Sequence, residues 1–214
     1  MGKLTDKDAA RSSERFTRLR VACFEADWSP RLDDRQSVLP VLDLLERQGW
    51  ISFFHRRVRD PEHLQDDLKR LVRQAQYKRY EMVYVASHGH EGTIGVGSGL
   101  GVDRLHGLDL SGRVLYLGGC SIARSRALRK FTDLRSRTGA LAVAGYTTDV
   151  DWDEAAAFEI LLLSWLAYER RGWPREALRA TYSEYRALAR RLGFAAVWSR
   201  GQIPPRRGPR TVSA

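Results

Sequence analysis

Two stretches decide the fold: MVYVASHGH, residues 82–90, and RVLYLGGCSI, residues 113–122. In each, an unbroken apolar run stops at a polar cluster flanked by glycine. A strand buried on both faces reads this way, because neither set of alternating side chains meets water. Working outward, similar runs predict strands at 20–28 (RVACFEADW), 50–58 (WISFFHRRV) and 140–146 (ALAVAGY), with a short last one at 195–199. The segments between them carry helical periodicity. Residues 37–48 place Val38, Val41, Leu42 and Leu45 on one face, with Gly49 as a stop. Asp60-Pro61 opens a second helix, with Leu64, Leu68, Leu71 and Val72 at three- and four-residue intervals. Further helices are predicted at 124–137, which is very basic on its outer side, and at about 154–170 and 174–192. Alternating strands and helices predict an α/β fold, a three-layer α/β/α sandwich around a mainly parallel sheet of about six strands. One domain is expected over 18–200, after a polar leader at 1–17 and before a basic Pro/Arg-rich tail at 201–214 that is expected to be disordered.

The composition excludes several classes. With 214 residues, 43% hydrophobic and 29% charged, the chain is neither a disordered polymer nor a collagen-like repeat. Two cysteines make no disulfide framework and point to a reducing, cytoplasmic setting. No signal peptide is read at the start, and the most apolar stretch, 155–168, is interrupted by Glu159 and too short to span a bilayer. The net charge of +10 divides unevenly, with +3 in residues 1–20 and +4 in 200–214. Only +3 remains for the body between, so dedicated nucleic-acid binding is not expected. The glycines at 92, 95, 97, 99 and 101 match neither dinucleotide nor phosphate-loop patterns, and no cofactor is expected.

In a parallel sheet, function gathers outside the carboxyl ends of the strands. The residues there are Glu25 and Asp27, then His88, then Cys120, and finally Asp149, Asp151 and Asp153. His88 and Cys120 end consecutive strands of the parallel run, which are usually spatial neighbours. An imidazole beside a thiol can move the proton during acyl transfer, with the thiolate as nucleophile. A helix starting just after Cys120 would add amide dipoles near the sulfur. Cys23, in mid-strand, reads as packing. His90, His106 and Cys120 could be weighed as a zinc set, but their spacing matches no common pattern, and no metal is expected.

The two stretches also resemble a family. VYVASHGHEGTIGVG is similar to the histidine block of caspase-like cysteine peptidases, and VLYLGGCSI to their nucleophile block. The 32 residues from His88 to Cys120 suit a compact, bacterial-type relative of caspases and metacaspases. The resemblance implies a caspase-like fold, His88 as general acid/base, Cys120 as nucleophile, and an oxyanion hole from the backbone N–H groups of Gly89 and Cys120. The pocket regions of that family hold acids here, and Asp27, Asp149 and Asp151 are the expected contacts for a basic P1 side chain. The expected activity is endopeptidase cleavage of a protein or peptide after Arg or Lys, as a regulated effector, with an activating partner protein or ligand. The alternative is a non-catalytic domain of the same fold that recruits partners.

Overall fold

The computed structural model describes residues 18–204 apart from 30, 32, 34 and 123–126. Strands β1 (Leu19–Ala26), β2 (Ile51–Val58), β3 (Met82–Ala86), β7 (Val114–Gly118), β8 (Ala142–Tyr146), β9 (Phe194–Trp198) and β10 (Gly201–Ile203) form one sheet. Its order is β10-β9-β8-β7-β3-β1-β2. The five strands from β2 to β8 run parallel, while β9 and β10 are antiparallel additions at one edge. A small antiparallel sheet of β4 (His88–His90), β5 (Thr93–Gly95) and β6 (Leu100–Gly101) comes directly after β3. The main sheet therefore has seven strands rather than six. The extra one, β10, occupies residues 201–203 of the stretch expected to be a disordered tail; residues 205–214 and the leader 1–17 lie outside the described residues.

Six helices are described: α1 (Leu39–Arg47), α2 (Pro61–Arg73), α3 (Ala127–Thr138), α4 (Trp152–Tyr168), α5 (Arg175–Glu184) and α6 (Arg186–Arg191). The strand alternation divides the core in two. Met82, Tyr84 and Ala86 of β3 face one layer with Leu42 and Leu45 of α1, Phe158, Leu162 and Leu166 of α4, Leu178 of α5 and Ala189 of α6. Val83 and Val85 face the other, with Leu64, Leu68 and Leu71 of α2 and Phe131 and Leu134 of α3. That is the three-layer arrangement the apolar runs require. The start of α2 obeys its local chemistry: the Asp60 carboxylate accepts from His63 N–H at 2.7 Å, and Pro61 fills the first turn. The described part of helix α3 spans Ala127–Thr138; residues 123–126, where the sequence pattern began this helix, lie outside the described residues.

Candidate active site

Sheet register brings the two reactive residues together. Ala86 of β3 pairs with Gly118 of β7, and His88 and Cys120 each stand two residues beyond that rung. Neighbouring strands lie roughly 4.8 Å apart. The chains leaving them stay in contact, because a Cβ at Gly119 would fall 2.6 Å from the Ser87 carbonyl oxygen. A Cβ at Gly89 would overlap the Cys120 carbonyl and Ile122. Glycine at both positions thus lets the histidine and cysteine segments pass backbone against backbone.

Ser121 fixes the loop after the cysteine. It is buried and holds φ at +48°, in the left-handed region where a non-glycine residue is strained. Its N–H donates to Thr148 O at 2.9 Å, its carbonyl accepts from Glu91 N–H at 3.0 Å, and its hydroxyl donates to Asp149 Oδ1 at 2.6 Å. One residue therefore ties the nucleophile loop to the β4–β5 hairpin and to the loop after β8.

The His88 ring is exposed, and its Nε2 lies 2.5 Å from the Trp28 carbonyl oxygen. A carbonyl can only accept, so Nε2 carries the proton and the neutral ring keeps Nδ1 as its base. The Trp28 indole stands edge-on to the imidazole, with ring centroids 5.3 Å apart, and edge-on to Trp152 at 4.7 Å. Trp28 is itself held by Glu25, which accepts its Nε1–H at 2.6 Å. Glu25 is fully buried and also accepts from Ser37 Oγ at 2.7 Å and Val38 N–H at 2.8 Å, and lies 2.5 Å from His55 Nε2. Burial pushes its pKa up, but the hydrogen bonds from His55, Trp28, Ser37 and Val38 together outweigh it and hold the carboxyl below its usual value. An ionised Glu25 thus positions the tryptophan whose carbonyl orients His88.

Cys120 is half-buried, and its thiol donates to Val150 O at 3.8 Å rather than to the imidazole. Both reactive side chains line one cavity of about 200 Å³. Trp28, Val38, Val150 and Trp152 give it apolar walls, and it runs inward from exposed His88 to the buried Tyr84 and Glu159. Gly118 makes room there, since a Cβ would meet the Tyr84 ring at 2.5 Å.

Glu159 of α4 is 4% exposed and accepts hydroxyl hydrogen bonds from Tyr84 at 2.6 Å, Tyr116 at 2.9 Å and Tyr146 at 3.3 Å. Its burial raises the pKa to about 7 against the opposing pull of the three hydroxyls. It has no cationic partner among the described residues. The cavity thus ends on a carboxylate with three donors and no counter-charge. Neither Glu159 nor the tyrosines were singled out from sequence, though the signal was there. A lone acid interrupts the apolar run 155–168, and a tyrosine recurs in each of β3, β7 and β8.

The three aspartates expected to receive a substrate side chain are placed elsewhere. Asp27 is exposed and pairs with Arg57 at 3.4 Å. Asp149 accepts from Ser121, and Asp151 caps α4 by accepting from Asp153 and Glu154 N–H groups. None of the three lines the cavity, although Val150 between the last two does. Cys23 is fully buried, with its thiol pKa raised by burial first and by the charges of Glu25 and Glu159 next. His106 pairs with Asp133 at 3.3 Å, and among the described residues no three His, Cys, Asp or Glu side chains converge as a metal-ligand set. No helix among the described residues is long and apolar enough to cross a membrane. No protein-family model matches the chain, and no curated protein matches its sequence.

Proposed function

We propose that the chain is a cysteine endopeptidase of the caspase-like type, with Cys120 as nucleophile and His88 as general acid/base. The observation that carries this reading is the shared cavity, lined by a thiol and by an imidazole whose Nε2 is committed to a backbone carbonyl. Nδ1 is then the nitrogen available to take the Cys120 proton. The thiolate adds to the scissile carbonyl carbon, and the oxyanion that forms is met by the Cys120 and Gly89 N–H groups. Among the described residues the Cys120 amide donates no other hydrogen bond. The imidazolium returns its proton to the departing amine as the C–N bond breaks, leaving a thioester. His88 then deprotonates water, which attacks the thioester and releases the acid and the thiol.

Cleavage after Arg or Lys is the preference we favour, now on the strength of Glu159. An apolar shaft leading to a carboxylate fits a long aliphatic stem with a cationic end. Gly118 ends β7 two residues before Cys120 and lines the same cavity as Cys120 and Glu159. The two free thiols suit a reducing cytoplasm.

The test is turnover of fluorogenic peptides ending in Arg, Lys, Asp or Leu by the wild type, Cys120→Ala and His88→Ala. Cleavage after Arg and Lys that disappears with Cys120→Ala and falls roughly 10²–10⁴-fold with His88→Ala is expected. The second reading, a non-catalytic domain that recruits partners, rests on the thiol bonding to Val150 rather than to His88. No turnover of any peptide, together with no labelling of Cys120 by a thiol-reactive peptide, would favour it.

A further inference from the structure

A larger cleft, of about 740 Å³, lies at the β10 edge of the sheet and shares no lining residue with the cavity at Cys120. Four elements supply arginines to it: Arg135 from α3, Arg175 and Arg179 from α5, Arg186 from α6, and Arg200 from the β9–β10 link. No carboxylate lines it. Arg175 pairs with Glu176 at 2.7 Å, but the guanidinium groups of Arg135, Arg179, Arg186 and Arg200 have no ion pair or hydrogen bond among the described residues. Some arginines outside the cleft are neutralised, Arg56 by Asp67, Arg137 by Asp133 and Arg191 by Glu154; what sets the cleft apart is the convergence of unpaired guanidinium groups on one concavity. Gathering unpaired like charges around one concavity is unfavourable for the protein alone and favourable once an anion enters. The residues after Pro204 cannot supply that anion, since 205–214 contain three arginines and no acid.

The backbone of the β9–β10 hairpin is a second, independent sign. Its two-residue link is Ser199-Arg200, and Arg200 holds φ at +65°, a position where glycine is easiest. The chain therefore keeps a long cation at a strained turn that opens on the cleft. Next to it, Gly201 is packed against the Trp198 indole, whose Cζ2 would be 2.7 Å from an added Cβ, so the turn lies tight on the cleft's aromatic wall.

Guanidinium groups match phosphate oxygens two at a time and are not tied to one orientation of the ligand's remaining atoms. Four unpaired forks arriving from four elements suit several anionic groups on one ligand better than a single one. The half-buried Tyr182 offers a ring face for a planar group beside them. The volume is that of a small-molecule site, and the charge is gathered rather than laid out as a track. We propose that this cleft binds a small ligand carrying several linked phosphates, a nucleoside polyphosphate being the chemistry that engages both the arginines and Tyr182.

The experiment is calorimetric titration of the full chain at physiological salt with ATP, inorganic tripolyphosphate, adenosine, oligouridylate and hexaglutamate. Saturable binding of tripolyphosphate, tighter binding of ATP, and none of adenosine or hexaglutamate are the expected results. Arg179→Gln, an exposed helix position, and Arg200→Gly, which relieves the turn, should each weaken ATP about tenfold or more. Arg137→Gln, which removes an arginine outside the cleft, should leave it unchanged. Equal binding of hexaglutamate, or equal weakening by Arg137→Gln, would reduce the effect to general anion attraction and overturn the proposal. Oligouridylate that outcompetes ATP would overturn the small-ligand assignment in favour of a nucleic-acid strand. Because binding is read directly, a failure of the peptidase reading would leave this test intact.

Discussion

Glu159 makes the stability of the fold depend on pH in an unusual direction. Its pKa rises from 4.5 to about 7 on folding, so between those values the native state binds a proton that the unfolded chain has released. Stability falls with rising pH wherever the native state binds more protons. The contribution of this group is therefore fully present below about pH 4.5 and is lost as pH climbs through 7. The size comes from the shift, about 3 kcal/mol in all at about 1.36 kcal/mol per pH unit. The group is buried, so solvent screening removes little of it. The charged and titratable groups facing it are Tyr84, Tyr116, Tyr146, Cys23 and Glu25. The three tyrosines and Cys23 have their pKa values raised, and Glu25 is already ionised, so none of them titrates in this window. Glu159→Gln keeps the shape and an acceptor for the tyrosines but cannot ionise. Urea unfolding of wild type and variant at pH 5, 6, 7 and 8 isolates the effect, because all other titrations cancel in the difference. Relative to wild type, the variant should gain about 2.5 kcal/mol between pH 5 and pH 8. A difference that stays flat across this range would refute an ionisable Glu159 held by desolvation, and with it the charge at the end of the cavity.

The remaining predictions concern the site. Iodoacetamide should modify Cys120 in the native protein and spare Cys23, which is fully buried with a raised thiol pKa; peptide mapping by mass spectrometry reads both. If the peptidase reading holds, KM for a peptide ending in Arg falls as pH rises through about 7, because an ionised Glu159 would bind the guanidinium, while a substrate ending in Leu shows no such trend. In Glu159→Gln the two KM profiles should become parallel. Gly119→Ala drives a methyl into the Ser87 carbonyl, and should cost about 1–3 kcal/mol in urea unfolding while slowing alkylation of Cys120.

The juxtaposition of His88 and Cys120 was legible because its signal is local. MVYVA and VLYLG are apolar on both faces, so each had to be an interior parallel strand, and the residues just past the end of such a strand open on the crevice. The pairing of Ala86 with Gly118 is then a consequence of adjacency alone. The orientation of His88 was not legible, because its partner is a main-chain carbonyl at residue 28, and a carbonyl leaves no mark on residue type. That the aspartates do not line the cavity at Cys120 has a related reason. Their position after strand ends was visible, but a carboxylate near backbone N–H groups, a hydroxyl or an arginine is taken by whichever is closest, and Asp151, Asp149 and Asp27 each found such a partner.

Glu159 and the arginine cleft show the complementary case, in which chemistry is assembled from residues that are inconspicuous singly. Glu159 lies one helix away from tyrosines on three strands, 75, 43 and 13 residues distant in sequence, and only the packing of α4 across the sheet joins them. The charge count put the basic excess at the chain ends because it summed along the sequence, where Arg135, Arg175, Arg179 and Arg186 are diluted by neighbouring acids. In three dimensions Asp133 turns to Arg137 and Glu176 takes only Arg175, so the side chains of Arg135, Arg179 and Arg186 are left without an ion pair among the described residues, on one surface. Net charge measured along a chain therefore bounds its solubility, while the pairing of each charge decides where an anion can bind.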